Sequence, residues 1–366
     1  MSDRRPLDEL ARAVVDDAVA SFCAVGWAAD RPGGGWAYEV GASGPEVSFF
    51  DLASVTKPMT ALAVARAGLR DHPLGELVGE ARGSPLEAAT LELLLAHRAG
   101  LADHLPLFLP LVGGRAVDRS ACLAEASRAV RPGLEGAVPP FAPVYSDLGY
   151  LLAGEALARH LGTRDAGEAI EELVVAPLGL SAELGTARAL RAAGVDLGAR
   201  AAPTEDAPWR GGVVRGAVHD ENAWAISGMG GSGHAGMFGT AGALLRFAVA
   251  ALEAIEDGAG PLGDGGPMPW LVEERDGGTL RAGFDGKSPA GSSAGELAGP
   301  RTFGHLGFTG TSLWIDPEAR VAVTLLTNRV HPTRENTRIR AARPKVHDAL
   351  FARAVGEDIG GSGRLP

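Results

Sequence analysis

The most informative segment of the sequence is DLASVTKPMTALAVARAG, residues 51–68. From Met59 onward its apolar residues recur at helical spacing, which predicts a helix. Pro58 is compatible with that helix only near the first turn, where backbone N–H groups have no helical acceptor. We therefore expect Ser54 at the helix N-terminus and Lys57 on the same face, one turn later.

The spacing of Ser54 and Lys57 supplies three things that acyl transfer needs. The helix dipole stabilises developing negative charge, the Ser54 N–H can contribute to an oxyanion hole, and the Lys57 amine lies within reach of the hydroxyl. Lys57 can act as a base only when it is neutral, which burial favours. The alternative is a capping serine followed by a solvated lysine, because this spacing also arises by chance.

A second motif is VYSDLGYLLAGEAL, residues 144–157. It places Tyr145 in a loop just before an amphipathic helix, where its hydroxyl could share a proton with Ser54 and Lys57. The alternative is a tyrosine packed against the core, with Ser146 or Asp147 as the N-cap of the helix. Both interpretations can hold together.

A third motif is FGHLGFTGTSLWIDPE, residues 303–318. Gly304, Gly307 and Gly310 leave little side chain along one edge, which allows a substrate to approach the backbone closely. His305 would point toward whatever lies along that edge. The alternative is a glycine-rich hairpin rim with one surface histidine.

The two chain ends predict one sheet. An amphipathic pattern over 7–21 predicts a helix, and glycines 33–35 separate two strand patterns that predict a hairpin. TSLWIDPEARVAVTLLTNRV predicts a second hairpin, and 335–355 a helix. The expected fold class is α/β, of the α+β type: an antiparallel sheet formed from both chain ends and flanked by helices, with a mostly helical domain inserted.

The middle of the chain consists mostly of Ala/Leu-rich segments between Gly/Pro loops. We expect residues 1–60 plus 285–366 to form the sheet domain and 61–284 the helical domain, with the active site at their junction. The Gly-, Pro- and Ser-rich stretch 256–300 predicts a long loop, ordered or partly mobile.

Composition narrows the classes of function. A formal net charge of −11 argues against nucleic acid as a partner. Acidic residues interrupt the N-terminal apolar pattern, so it is a poor signal peptide and a poor membrane span; we expect a cytoplasmic protein with no membrane partner. Cys23 and Cys122 fit no metal spacing and are expected to be buried thiols. No cofactor or metal is expected, and the oligomeric state stays open.

Taken together, Ser-x-x-Lys (54–57), Tyr-Ser-Asp (145–147) and His-x-Gly (305–307) resemble, in order and context, the serine β-lactamase and penicillin-binding-protein superfamily. The likeness is closest to its class C-like branch, which holds class C β-lactamases, D-alanyl-D-alanine carboxypeptidases, D-aminopeptidases and family VIII carboxylesterases. It covers nearly the whole chain, and LLLAHRAGL (93–101) and GHAGMFGTAGALLRF (233–247) support it.

The resemblance implies a role for each motif residue. Ser54 would be the nucleophile, Lys57 its activator, and Tyr145 the partner base and later acid. The backbone N–H groups of Ser54 and Phe308 would form the oxyanion hole. The residues expected to line the substrate site are Asp147, His305, Gly307 and Phe308.

Two departures from the family pattern bear on the substrate. His305 stands where penicillin-recognising members have the Lys of Lys-Thr-Gly, provided that HLG, and not the FTG three residues later, fills the motif. We align HLG because the motif should precede the strand. A histidine, mostly neutral at pH 7, attracts a carboxylate less than a lysine does. Asp147 stands where the family usually has Asn, and its charge favours a protonated Lys57.

These departures favour an esterase or amidase that acts on small esters, amides or D-amino-acid peptides. The alternatives are a D-Ala-D-Ala carboxypeptidase or β-lactamase, and a non-catalytic binding protein on the same fold. Three other features are interpreted as structural. GMGGSG (228–233) lacks the preceding buried strand of a dinucleotide site. Residues 219–222 include plausible metal ligands, but adjacent residues cannot easily converge on one ion, so they are expected to form a loop packed beside the site that caps the next helix. The arginines of 334–343 are expected to form a charged helix face.

Overall fold

The computed structural model describes residues 7–134, 136–263 and 268–356. Its helices are α1 (Leu7–Asp16), α2 (Thr56–Arg66), α3 (Leu74–Leu77), α4 (Leu91–Leu95), α5 (Leu109–Val112), α6 (Arg119–Ala126), α7 (Asp147–Leu161), α8 (Ala166–Ile170), α9 (Ala187–Ala192), α10 (Leu197–Arg200), α11 (Glu221–Ser227), α12 (Ala241–Asp257) and α13 (Ile339–Val355). Its strands are β1 (Cys23–Asp30), β2 (Trp36–Ala42), β3 (Phe50–Asp51), β4 (Leu184–Thr186), β5 (Asp206–Ala207), β6 (Gly212–Val213), β7 (Met237–Gly239), β8 (Asp285–Gly286), β9 (Phe303–Leu306), β10 (Ser312–Asp316) and β11 (Val321–Thr327).

Both chain ends contribute to one six-stranded antiparallel sheet, in the order β2-β1-β11-β10-β9-β8. β1 lies beside β11 with Ala24 opposite Leu326, so the N-terminal hairpin pairs directly with the C-terminal one. The predicted fold class is confirmed. The helix predicted over 7–21 ends earlier, at Asp16, because the backbone turns at Ala18, which has a positive φ of 55°.

Helices cover both faces of this sheet. On one face α1 and α13 bury Leu7, Val14 and Leu350 in a cluster with Trp314 of β10. On the other face α12 packs close to β1, where a Cβ on Gly26 would lie 2.9 Å from Leu245 Cδ1. α12 therefore packs on the sheet although it falls within the range 61–284 expected for the helical domain. The domain boundaries stay a prediction.

A second, three-stranded sheet has the order β3-β7-β4 and is not predicted by the sequence patterns. Its strands have two or three residues, too few to show an alternating pattern. β3 ends at Asp51, three residues before Ser54, and pairs with Phe238 of β7. This small sheet therefore fixes the backbone that leads into the expected nucleophile.

The central helix α2 is buried from Thr56 to Val64, which explains why its sequence is apolar on nearly every side. It is flanked by α7 and by the glycine-rich segment 228–233. A Cβ on Gly233 would lie 2.0 Å from the Tyr150 carbonyl oxygen, so glycine is required there by the close approach of the backbone to α7. In this structure GMGGSG packs against α7 through Gly233.

Within 256–300, short elements interrupt the predicted loop: the end of α12, a 3₁₀ turn at Pro269–Leu271 and the two-residue strand β8. Residues 264–267 of this stretch lie outside the described part of the chain, as do 1–6 and 357–366 of the predicted sheet domain. In the described residues, no helix combines the length and apolar character needed to cross a membrane. Cys23 and Cys122 are both buried free thiols, as expected.

Candidate active site

A tight turn presents Ser54 at the start of α2. Ser54 lies in the 3₁₀ turn Ala53–Val55, directly before Thr56. Ala53 has a positive φ of 47°, a conformation that costs about 1–2 kcal/mol for a residue with a Cβ. The buried carboxylate of Asp51 holds this turn: Oδ1 accepts the Ala53 N–H at 2.8 Å and Oδ2 accepts the His219 N–H at 2.7 Å. Burial raises the pKa of Asp51 to about 6.

Lys57 lies beneath Ser54, fully buried, with three acceptors around its ammonium group. Nζ is 2.9 Å from Ser54 Oγ, 2.7 Å from Asp147 Oδ1 and 3.3 Å from the His234 carbonyl oxygen. Burial by itself would lower the pKa of Lys57, but the Asp147 carboxylate and the Tyr145 hydroxyl outweigh it, so the pKa lies above its ordinary value. In this arrangement Lys57 carries a proton at neutral pH.

Tyr145 reaches the same point from the loop before α7. Its hydroxyl interacts with the side chains of Ser54 and Lys57, and burial raises its pKa. Its ring stacks on His97, with 4.8 Å between the ring centroids. His97 Nδ1 accepts the Ser146 N–H at 3.0 Å, and burial lowers the His97 pKa to about 3, so this ring is neutral. His97 therefore acts as a structural hydrogen-bond acceptor.

Asp147 is the first residue of α7, and its carboxylate turns toward Lys57. Burial raises its pKa, but the charge of Lys57 more than offsets this, and the pKa lies below the ordinary value. Ser146 occupies the N-cap position without capping the helix: its hydroxyl donates to the Ala102 carbonyl at 2.6 Å. The side chain therefore anchors the loop rather than the helix end.

The third motif lies along β9 and in the turn that follows it. His305 is only 4% exposed, donates from Nδ1 to the Leu306 carbonyl at 2.7 Å and faces the Tyr145 ring. Burial, followed by the charge of Lys57, lowers the pKa of His305 to about 3, so it is neutral. The motif forms its own strand and does not merely precede one, because β9 pairs with β10.

Close contacts require both glycines of this turn, Gly310 of FTG as well as Gly307 of HLG. A Cβ on Gly307 would lie 2.0 Å from Thr311 Oγ1 and 2.5 Å from the Leu52 carbonyl oxygen. Gly307 therefore lets the turn approach the segment that leads into Ser54. Thr309, in the FTG triplet, points inward and donates to the Asp51 carbonyl at 2.7 Å.

A cavity of about 610 Å³ opens over Ser54. Of the predicted site residues, Ser54, Tyr145, Asp147, Gly307 and Phe308 line it. Lys57 lies under the floor of the cavity. His305 was expected to point toward whatever lies along the open edge of the strand, but in the structure it is buried behind the cavity wall.

A family model described as Beta-lactamase matches residues 11–347 of this sequence. The chain belongs to the Beta-lactamase family. Among curated proteins, it is 33% identical to a "Putative D-alanyl-D-alanine carboxypeptidase" of Salmonella gallinarum over 145 residues, which is 39% of this chain and 32% of that protein. The match thus spans about a third of the length of the curated relatives.

Solved structures share the fold over nearly the whole chain. EstCE1, described as a hydrolase with promiscuous acyltransferase activity, has a TM-score of 0.66 at 20% identity and covers 94% of this chain and 99% of its own. A class C β-lactamase from Rhodobacter sphaeroides has a TM-score of 0.61 at 18% identity, covering 95% of this chain and 99% of its own. At such identities the likeness concerns the fold alone.

Beyond the family motifs, the structure adds Asp220 to the site. Asp220 caps α11 by accepting the Ala223 N–H at 2.8 Å, as the sequence suggested for this loop. The same carboxylate oxygen lies 2.9 Å from His234 Nε2, and the His234 carbonyl contacts Lys57. The run of His, Asp and Glu at 219–221 is the sequence signal for a polar cluster here, but it does not indicate that Asp220 contacts His234.

The prediction that the arginines of 334–343 only form a charged helix face is wrong. Arg334, Arg340 and Arg343 line the cavity. Arg343 is buried and donates from Nη2 to the carbonyls of Gly307 at 2.8 Å and Thr311 at 3.0 Å. Burial lowers its pKa to about 10. Helical periodicity could not reveal this, because it does not tell which neighbour a polar face contacts.

Proposed function

We propose that this chain is a serine hydrolase that forms an acyl-enzyme on Ser54 and acts as an esterase or amidase on small substrates. The observation that carries the proposal is the contact between Lys57 Nζ and Ser54 Oγ at 2.9 Å, beneath an open cavity. Tyr145 interacts with both side chains. The nucleophile and two groups able to carry its proton therefore meet at one point.

Two backbone N–H groups are available to bind the oxyanion of the reaction intermediate. In the described part of the chain, neither the Ser54 N–H nor the Phe308 N–H has a hydrogen-bond acceptor, and both residues line the cavity. In the proposed reaction they stabilise the negative charge that develops on the substrate carbonyl oxygen. Arg343 supports this by fixing the carbonyl of Gly307, the residue before Phe308.

The proposed site joins residues from both predicted domains. Ser54 and Phe308 belong to the range 1–60 plus 285–366, and Tyr145 belongs to 61–284. We accordingly propose that the substrate binds at the junction of the two.

The charges near Ser54 favour substrates that carry little negative charge where they contact the third motif, residues 305–307. His305 is neutral, so it does not provide the fixed cation that a lysine would bring there. Asp147 adds a carboxylate 2.7 Å from Lys57. A small ester or amide needs neither an anion-binding group at 305 nor an amide donor at 147.

Covalent labelling of Ser54 tests the proposal. A fluorophosphonate should add to one peptide, the one that contains Ser54, and Ser54→Ala should abolish both the adduct and the turnover of p-nitrophenyl butyrate. Ser312→Ala, a buried serine of β10 away from the cavity, is the matched control and should leave labelling intact. A folded wild-type protein with no adduct would instead support the alternative of a non-catalytic binding protein on the same fold.

The second candidate is a D-Ala-D-Ala carboxypeptidase or β-lactamase, favoured by the name of the Salmonella relatives. Comparing turnover of p-nitrophenyl esters, nitrocefin and D-Ala-D-Ala peptides separates the two. Fast cleavage of nitrocefin or of the peptide with negligible ester turnover would sink the esterase proposal and leave the acyl-enzyme on Ser54 in place.

A further inference from the structure

The resting geometry poses a problem for Lys57 as the base. Its three ammonium protons have three acceptors, Ser54 Oγ, Asp147 Oδ1 and the His234 carbonyl. Because an ammonium donates to Ser54 and has no lone pair, it cannot take the hydroxyl proton. Either Lys57 loses a proton to solvent, at a pKa above its ordinary value, or a neighbour takes that proton.

We propose that Asp147 is that neighbour and acts as the proton acceptor that turns Lys57 into a base. The proton crosses from Nζ to Oδ1: one N–H bond breaks, one O–H bond forms, and the pair changes from ammonium and carboxylate to amine and carboxylic acid with no change in net charge. Nζ then takes the Ser54 hydroxyl proton while Oγ bonds to the substrate carbonyl carbon and the carbonyl π electrons move to its oxygen.

Collapse of the tetrahedral intermediate leaves Ser54 acylated and restores the starting protonation of Lys57 and Asp147. The bond to the leaving group breaks, and the leaving group receives a proton from the Lys57 ammonium, directly or through the Tyr145 hydroxyl. Asp147 then returns its proton to Nζ. No oxidant, metal or external base enters the sequence, and the same exchange activates water for deacylation.

The charged pair is the resting form, but two features of its surroundings make the exchange accessible. Lys57 is fully buried and the Asp147 side chain is 23% exposed. Holding two opposite charges in such a site carries a desolvation cost, and proton transfer removes both charges together. The distance of 2.7 Å is that of a strong charge-assisted hydrogen bond, so the proton has a direct path.

Among the described residues, the other titratable groups near the pair are less well placed than Asp147 to accept a proton from Lys57. In the described ranges, Asp147 supplies the carboxylate oxygen within hydrogen-bond distance of Lys57 Nζ. Asp220 faces the same cavity, but its Oδ1 contacts His234 and an N–H of α11. The remaining titratable groups facing the pair are His97 and His305, both neutral, Tyr145 and Tyr150, whose pKa values are raised, and His234.

This inference rests on the proposed function and predicts a particular pH dependence. In the active pair, Lys57 and Asp147 share one transferable proton, and Asp147 must be free to accept it. Wild-type acylation should therefore fail at acid pH only when solvent protonates Asp147, whose pKa is lowered from its ordinary value. In Asp147→Asn the active form requires a neutral Lys57. The acid limb of kcat/KM should then move to alkaline pH, because each pH unit below the pKa of a single base removes about 90% of the active form.

The test compares Asp147→Asn with wild type in the pH dependence of kcat/KM. In the variant, kcat/KM at about pH 6 should be at least tenfold lower than at about pH 9, whereas wild type should change less than about twofold. The matched control is Asp220→Asn, which removes a carboxylate from the same cavity and keeps a residue suited to cap α11; its acid limb should not move to alkaline pH. The proposal would be overturned if the acid limb of kcat/KM in Asp147→Asn stayed at the wild-type pH. It would also be overturned if the variant were faster than wild type and its acid limb moved to lower pH.

A measurement on the wild-type chain guards against a misfolded variant. Acylation rates in mixtures of H₂O and D₂O should follow a curved dependence, because two protons move between Asp147, Lys57 and Ser54; a linear dependence would count against the relay. Fluorophosphonate labelling of wild type separates the two levels of the argument. No Ser54 adduct defeats the proposed function, whereas normal labelling with an unshifted Asp147→Asn profile defeats only the relay.

Discussion

Replacing Asp51 with alanine is expected to destabilise the chain and to slow catalysis, and both effects should exceed those of replacing an exposed helix-capping aspartate with alanine. The Asp51 carboxylate is 2% exposed and accepts two backbone N–H groups, those of Ala53 and His219. Alanine would leave both donors buried and unpaired, each at about 1–3 kcal/mol, so the free energy of unfolding should fall by about 2–6 kcal/mol. Ala53, in its strained conformation, would also lose its anchor.

The effect on catalysis follows from the position of Ala53, directly before Ser54. A shift of the nucleophile by about 1 Å can cost a factor of about 100, so kcat should fall by about that factor, with a smaller change in KM. Urea unfolding and the kinetics of p-nitrophenyl butyrate hydrolysis measure the two quantities. The matched control is Asp118→Ala, which removes an exposed carboxylate that accepts one N–H at the start of α6.

Asp118→Ala should cost only about 0.5–2 kcal/mol, because water can replace its bond to the N–H, and should leave kcat unchanged. If Asp51→Ala lost less than about 1 kcal/mol, or lost stability while kcat stayed at the wild-type value, the assignment of Asp51 to positioning Ser54 would be refuted.

Three further outcomes are expected. Tyr145→Phe keeps the stacked ring and removes the hydroxyl, so kcat/KM for an ester should fall by about 10²- to 10⁴-fold with an unchanged circular dichroism spectrum. Gly307→Ala forces a Cβ to within 2.0 Å of Thr311 Oγ1 and should cost at least about 1–3 kcal/mol, whereas Gly242→Ala in α12, with open space around it, should be neutral or stabilising. The pKa of Asp51 is raised to about 6 in the folded chain; since the folded state then holds the proton more tightly, the stability that Asp51 contributes should fall by about 3 kcal/mol between about pH 4 and pH 6, a slope that Asp51→Asn should remove in urea titrations.

The large sheet could be predicted because its strands carry local signals. β1, β2, β10 and β11 each have five to eight residues and are joined in two hairpins whose turns are marked by Gly33–Gly35 and by Asp316–Glu318. The pairing of β1 with β11 follows once both hairpins must bury their apolar faces together. The short strands β3, β4 and β7 could not be predicted, because their pairing is set by contacts between distant segments.

The site could be predicted as far as its motifs reach. Ser54, Lys57, Tyr145 and Asp147 were named from spacing and resemblance, and the structure brings them within contact. The contributions of Asp51, Asp220 and Arg343 could not be named in advance. Asp51 and Arg343 reach a backbone N–H or carbonyl that is remote in sequence, and Asp220 reaches the side chain of His234. No residue-type pattern encodes which distant group a side chain will reach.

The two departures from the family pattern act on Lys57 in the same direction. A lysine at position 305 would place a second cation near Lys57 and lower its pKa, as like charges do; the neutral His305 removes that help. Asp147 in place of Asn then adds an opposite charge at 2.7 Å and raises the pKa further. A site that gained only these effects would lock its base in the protonated form. The same contact that raises the pKa also provides the shortest path for the proton to leave, which is why we propose that the carboxylate takes part in the transfer.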